Sequence, residues 1–554
     1  MVSPPAPAYQ PNSQNIPADE ENDMQIVVFL GAALASAGFT RLVREVSVKQ
    51  GWVSLPASDR HVHSRPVPRL GGVGIFLTLW CIALLAMWMP EHFGSAEFPF
   101  SHLTLKILGP ATIIFFLGLA DDIFGISAYI KFAVQAGAAV LLFFNGIGIS
   151  RISVLASHPH LGWLVGLPLT ILWVLWITNA FNLIDGLDGL AAGSALFSCL
   201  VTCVVALLGH NQVVLILTLA LAGAIAGFLR YNFNPASIFL GDCGSLLIGF
   251  LISAIAIAGS YKAPTMLAVA IPIVSLGLPV LEVAVAVFRR FLSCRRLFAP
   301  DREHIHHKLL GRGLAHRQTV LVLYGVSACF CLVSLLLLNP GGPVLAIVLS
   351  VVAAGVLIGV QQLRYHEFLE LGRVANRTLN RHAIANGVSI RRATDALESC
   401  ANLAQFCKVL RGCLERIGFD GFGLYFSAGL PFGVEFDPLI AVSRTKVQYF
   451  WKSPPSPSDT NWSLTISLAK RNGKQIGGFT LYRKNAVSPL WMDLDVFTTT
   501  GFSAAVAACV EKMQKSWMEN AKKVSQRRPS RETAGAVIPS GLQQPFPLAA
   551  RAKP

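Results

Sequence analysis

Charge is scarce in this chain: Asp, Glu, Lys and Arg make up only 14% of its 554 residues, against 53% hydrophobic ones. The mean hydropathy of +0.56 excludes an ordinary soluble protein and predicts an integral membrane one. The eleven cysteines form no CxxC pair and have no metal-ligand spacing, which argues against a disulfide framework or a zinc ribbon. A basic n-region and an A-x-A-like cleavage site are missing too. The first apolar run instead follows an acidic, Pro-rich start, Pro4 to Asp23, and reads as a retained span and not a signal peptide. Acidic residues are the minority charge, 30 against 45 basic ones, for a formal net charge of +15. That balance suits an anionic cytoplasmic leaflet and phosphorylated substrates, and charge alone would fit nucleic acid equally well.

Long apolar runs are abundant. A bilayer core of ~30 Å takes ~20 apolar residues per helix. Eleven runs qualify: Met24–Thr40, Gly71–Met89, Leu103–Ala120, Tyr129–Asn145, Trp163–Phe181, Leu187–Leu208, Val213–Leu229, Ile238–Gly259, Pro264–Phe288, Val320–Leu338 and Val344–Val360. Basic residues crowd the loops after the first run (Arg41, Arg44, Lys49, Arg60, Arg65, Arg69) and the ninth (Arg289 to Arg317), while loops of the opposite parity carry almost none. The positive-inside rule then places the N-terminus outside and the C-terminal region in the cytoplasm. The predicted fold is an all-α polytopic membrane protein of about eleven transmembrane helices with a C-terminal soluble α+β domain, GAF-like in its element order. Its expected parts are a disordered N-terminus at 1–23, a membrane domain at 24–362, a cytoplasmic α+β domain at 363–515 and a basic disordered tail at 516–554.

Under that topology every unusual polar motif falls at a cytoplasmic end or loop. This favours an active site on one face over a transport pathway, which needs polar groups near the midplane and on both sides. Asp121 and Asp122 are adjacent carboxylates at a span end, where they either reach metal and phosphate or simply stop the span. Lys131 follows, either snorkelling to a lipid phosphate or serving as an interfacial anchor. In "NAFNLIDGLDGLAAG", Asn179, Asn182, Asp185 and Asp188 recur every third residue, so a helix there places them close to one face. Four hard oxygen donors suit Mg²⁺, which takes one or two protein ligands plus water and substrate phosphate; the alternative is an interhelical polar contact. "FLGDCGS" puts Asp242 between glycines, able to face an anion or metal or merely to cap a helix. "DREHIHHKLL" supplies Arg302, His304, His306 and His307. Their spacing is wrong for helical zinc and suits charge-assisted hydrogen bonds to a diphosphate.

In this order, "GLADDIFGISAYIKFAVQ", "NAFNLIDGLDGLAAG", "FNPASIFLGDCGSLLIGF" and "DREHIHHKLL" resemble the polyprenyl-phosphate N-acetylhexosamine-1-phosphate transferases of glycosyltransferase family 4. The likeness is to the undecaprenyl-phosphate GlcNAc-1-phosphate branch and spans about residues 24–362; the muramoyl-pentapeptide translocases are more distant. The resemblance implies attack of a polyprenyl phosphate on the β-phosphorus of a UDP-N-acetylhexosamine, releasing UMP and starting a surface polysaccharide, with Mg²⁺ (or Mn²⁺) as cofactor. It implies Asn182 and Asp242 as metal ligands and Lys131 on the lipid phosphate. Asp121 and Asp122 would position or deprotonate the nucleophile, and Asp185 and Asp188 would shape the nucleotide pocket beside Asn179. Arg302, His304, His306 and His307 would hold diphosphate and sugar, with Arg65 and Arg69 of "RPVPRLGG" closing the nucleotide site. One departure is Glu282, where an aspartate is expected; no catalytic role is given to it. A multi-pass inner-membrane location, a possible homodimer and no nucleic-acid partner complete the expectation. A translocase, a transporter and a receptor working through its tail domain are the alternatives.

Overall fold

The chain divides into two units, residues 1–368 and 369–554. A computed structural model describes residues 18–53, 67–88, 100–149, 162–260, 267–294, 304–338, 342–362, 381–400, 402–426, 440–443, 446–451, 461–469, 475–484, 497 and 501–526. In the first unit the apolar runs fold as α1 (Ala18–Lys49), α2 (Gly71–Trp88), α3 (Phe100–Phe124), α4 (Ala128–Phe144), α5 (Trp163–Ile184), α6 (Leu190–Leu208), α7 (Gln212–Asn232) and α8 (Gly241–Ser260). They continue as α9 (Leu267–Ser275), α10 (Gly277–Leu292), α11 (Ile305–Gly311), α12 (His316–Leu336) and α13 (Gly342–Gln362).

Among the described residues, eight helices (α1, α2, α3, α5, α6, α7, α8 and α12) are long and apolar enough to cross a bilayer. This is a multi-pass membrane protein, and helices are the form in which such runs satisfy their own backbone. The other three expected spans are not among these eight: α4 has 17 residues, α13 covers its expected run with 21 residues, of which Ser350–Gly359 is the described apolar stretch, and Pro264–Phe288 is broken into α9 and α10 at Leu276. Pro279, the third residue of α10, has no N–H for the carbonyl of Ser275 four residues back and its ring crowds that carbonyl, which favours the break. Helix α1 starts at Ala18, ahead of the expected span boundary at Met24.

α8 lies at the centre of the bundle, packed on α3, α5 and α2. The indole of Trp173 on α5 donates to Ser253 O at 3.2 Å, and Ser36 Oγ of α1 donates to Ala224 O of α7 at 2.6 Å. Large apolar side chains such as Leu34, Trp88, Phe124 and Leu164 face outward, as lipid contact requires.

The second unit contains α14 (Arg381–Glu398), α15 (Leu403–Ile417), β1 (Gly421–Phe426), β2 (Ile440–Ser443), β3 (Lys446–Phe450), β4 (Asn461–Ala469), β5 (Gln475–Lys484) and α16 (Phe502–Gln526). The strands form one sheet of order β2-β3-β1-β5-β4, antiparallel throughout, with Phe422 opposite Leu481. Alternation along the strands turns Phe422, Leu424, Val447, Phe479 and Leu481 into one core with Phe406 and Leu410 of α15 and Phe502 and Val506 of α16. α14 and α15 are separate helices, with Asn402 capping the second by accepting from Gln405 N. α16 continues to Gln526, past the expected tail boundary at 515, because "SWMENAKKVSQ" is made largely of helix formers. Residues 527–554 and 1–17 lie outside the described residues.

Candidate active site

Antiparallel neighbours bring alternate helix ends together. The C-terminal ends of α3, α5 and α7 and the N-terminal ends of α4, α6 and α8 meet at one end of the bundle and carry Asp121, Asp122, Lys131, Asn182, Asp185, Asp188 and Asp242.

Lys131 is the hub. Its Nζ donates to Asp121 Oδ2 at 2.6 Å and to Asp242 Oδ2 at 3.2 Å. Asp121 also accepts from Ile126 N at 2.6 Å, which folds the α3–α4 turn back onto the site. On the other side, Asn182 Nδ2 donates to Asp242 Oδ1 and to Ser245 Oγ, both at 3.0 Å. Four helices thus supply one contiguous cluster of carboxylates, amide and ammonium.

Asp122 does something else. Its Oδ1 and Oδ2 accept from the backbone N–H groups of Asp242 and Cys243, each at 2.9 Å, so it caps α8 from a neighbouring helix. Gly241 sits at φ 74°, and a Cβ there would lie 2.0 Å from Arg69 O and 2.7 Å from Asp122 Oδ2. Only glycine allows this turn and this approach together. The "VPRLGG" segment pairs with "IFLG" through Phe239 N to Pro68 O (2.8 Å), Gly71 N to Phe239 O and Gly72 N to Leu240 O (both 2.9 Å). Arg69 is thereby held, exposed, beside the acidic cluster. Arg65 and Arg302 lie outside the described residues.

The third-residue spacing from Asn179 to Asp188 does not run along one helix. α5 ends at Ile184, and residues 185–189 form a turn because two glycines interrupt "DGLDG". Asp185, the C-cap of α5, is raised well above the usual carboxylate range by burial and by the nearby carboxylates of Asp242, Asp122 and Asp188, opposed by Arg69. Asp188 is only 3% exposed and its Oδ2 accepts from Asn234 Nδ2 and Ala236 N, both at 3.0 Å. It braces the α7–α8 connection from behind. Asn179 is likewise turned inward: its Nδ2 donates to Gln135 Oε1 at 2.6 Å and to Leu175 O at 2.7 Å.

The histidine segment packs against the same turn. A Cβ on Gly186 would lie 2.8 Å from His306 Nε2. The rings of His304 and His306 are parallel within 9° at 5.6 Å, and His306 and His307 lie 4.4 Å apart. His306 is buried, and burial with the neighbouring imidazoles of His307, His304 and His316 pushes it down from 6.5 to about 3. Sequence reasoning missed Ser245, Gln135, Asn234 and Glu282 as partners. Of these, Glu282 had a visible signal, a lone carboxylate in an apolar run.

Five aspartates outnumber Lys131 and Arg69 here, an excess of negative charge that a bound cation would offset. Among the described residues no three His, Cys, Asp or Glu side chains converge on one metal position. The donor set is of hard oxygens around Asp242, which fits Mg²⁺, an ion that usually keeps several waters and leans on substrate phosphate.

A model of glycosyl transferase family 4 matches residues 104–260, a stretch holding Asp121, Lys131, Asn182 and Asp242. A Bacillus subtilis protein named "Probable undecaprenyl-phosphate N-acetylglucosaminyl 1-phosphate transferase" is 39% identical over 321 residues, covering 58% of this chain and 86% of the relative. The Mycobacterium tuberculosis decaprenyl-phosphate N-acetylglucosaminephosphotransferase is 33% identical over 365 residues, with 61% and 89% covered. A Thermotoga maritima undecaprenyl-phosphate alpha-N-acetylglucosaminyl 1-phosphate transferase is 31% identical over 306 residues, with 55% and 88% covered.

Proposed function

The chain belongs to glycosyl transferase family 4, and from that membership we propose that it moves N-acetylglucosamine 1-phosphate from its UDP-sugar onto a polyprenyl phosphate, with release of UMP. An oxygen of the lipid phosphate bonds to the β-phosphorus of the donor. The bond from that phosphorus to the oxygen bridging to the α-phosphate breaks, and UMP leaves with the electron pair. The product, a polyprenyl diphosphate sugar, begins a surface polysaccharide. The observation that carries this reading is the Lys131 ammonium held between Asp121 and Asp242 at 2.6 and 3.2 Å, with Asn182 on the far side of Asp242.

Lys131 would receive the lipid phosphate, with Asp121 fixing its ammonium. A phosphate monoester has a second pKa of ~6, so the nucleophile is largely dianionic at neutral pH and a general base is scarcely needed. In-line placement and charge neutralisation are the larger demands. Asp242 and Asn182 would hold Mg²⁺, which supplies charge neutralisation at the diphosphate when bound. Asp122 acts by placing the α8 N-terminus and so Asp242. Asp185 faces the nucleotide, whereas Asp188 and Asn179 shape the pocket from behind. Arg69 and the His304, His306 and His307 segment, with Arg65 and Arg302, would hold the diphosphate and sugar. The basic loops support an inner-membrane orientation with this face in the cytoplasm.

The test is UMP release from membranes containing the protein, given polyprenyl phosphate and a panel of UDP-sugars, with and without Mg²⁺. UMP is expected with UDP-N-acetylglucosamine, both substrates and Mg²⁺ present. No UMP from any sugar overturns the reading.

A further inference from the structure

Glu282 is a costly residue where it stands. It lies on the buried stripe of α10 with Leu278, Pro279, Ala286 and Arg289 and is 4% exposed. A carboxylate removed from water destabilises the fold unless hydrogen bonds and opposite charge replace its hydration. The replacement comes from the histidine segment. Ile305 N donates to Glu282 Oε1 at 3.0 Å and to Oε2 at 3.3 Å. His304 Nδ1 lies 2.9 Å from Oε1, and His304 is itself only 7% exposed. His304, the N-cap residue of α11, makes no side-chain cap bond of its own, so a glutamate from another helix receives the first backbone N–H of α11.

The contacts form a chain: Glu282 fixes the His304 ring, the His304 ring stacks on His306, and His306 lies against Gly186 in the "DGLDG" turn. With Nδ1 engaged by the carboxylate, Nε2 is the nitrogen on the opposite side of the ring, and the tautomer is set by the bond at Nδ1.

We infer that Glu282 is a positioning residue for the donor substrate: acting through His304, it sets the histidine segment in register with the acidic turn and holds the charge-assisted donor that meets the diphosphate. This rests on the proposed transferase reading. A carboxylate that orients a ligating histidine is worth about 10- to 100-fold in activity where such pairs operate, and the same range is expected here.

The experiment is a double-mutant cycle on the full chain in membranes, following UMP release. Glu282→Gln keeps an acceptor for Ile305 N but loses the charge opposite His304. It should lower kcat/KM for the UDP-sugar about 10- to 100-fold, with KM for polyprenyl phosphate unchanged. His304→Ala should fall by a similar factor, and the double variant no further than the worse single one, because Glu282 acts through His304. Wild-type kcat/KM in Glu282→Gln, or losses that multiply in the double variant, would overturn the inference. Glu282→Asp, which keeps the charge opposite His304, should recover most of the kcat/KM that Glu282→Gln loses; if Glu282→Gln does not accumulate as folded protein, Glu282→Ala takes its place in the same cycle with the same criteria. Absence of UMP from the wild-type chain would instead count against the transferase reading itself.

Discussion

Asp121 and Asp122 are neighbours in sequence with separate tasks, and replacing them one at a time exposes the difference. In Asp122→Ala the N–H groups of Asp242 and Cys243, which now donate at 2.9 Å, lose their acceptors. Orphaning a buried donor costs about 1–3 kcal/mol, and removing a carboxylate from the positive end of the α8 dipole costs about 0.3–1 kcal/mol more. Asp122 is partly accessible, so water offsets some of this and the lower half of the range applies, roughly 2–4 kcal/mol in all. Asp122→Asn keeps one acceptor oxygen and should lose about half as much. Asp121→Asn leaves α8 capped, and its loss should fall on turnover. Scanning fluorimetry of the purified protein in detergent measures this: Asp122→Ala should unfold lower by on the order of 5 °C, and Asp121→Asn by less than half that shift. Unfolding of Asp122→Ala at the wild-type temperature would refute the capping argument.

Asp242→Asn should lose activity chiefly through weakened metal use, so a Mg²⁺ titration should move to higher concentrations; full activity at limiting Mg²⁺ contradicts that. Gly186→Ala places a methyl 2.8 Å from His306 Nε2, and since buried His306 has little room to yield, activity should fall on the order of tenfold or more; a wild-type rate would show that the contact relaxes. Burial and the neighbouring imidazoles push His306 down from its ordinary 6.5 to about 3, so between those values the unfolded chain binds a proton that the folded chain refuses. Its stabilisation is therefore full above 6.5 and is lost as pH falls towards 3. On going from about pH 7 to about pH 5, melting of His306→Gln should drop less than that of wild type, and an equal drop would contradict the assignment.

The membrane class and the gathering of polar motifs at one end are legible in the sequence, because both follow from composition and from the parity of apolar runs; the grouping of Asn182 with Asp242 comes from the family resemblance and from no local spacing. The division of labour among the acids is not. Whether Asp122 meets a substrate or the α8 backbone, and whether Asp188 faces outward or braces Ala236, depends on helices distant in sequence, which no local spacing encodes. The "DGLDG" glycines did signal a turn, yet the third-residue period read as helix hid it. Similarly, Pro279 marks the break at Leu276, while unbroken hydrophobicity from Pro264 to Phe288 concealed it. Glu282 was visible as an oddity. Its partner His304 was not, since 22 residues separate the two in sequence.

Following the β-phosphorus tests the central claim most directly. The protein in membranes is given polyprenyl phosphate, Mg²⁺ and UDP-N-acetylglucosamine carrying a radioactive label in the β-phosphate. The account predicts that label enters the lipid phase in step with UMP, one for one, and that both cease in Lys131→Ala. Label remaining in water, or UDP as the released nucleotide, would contradict it.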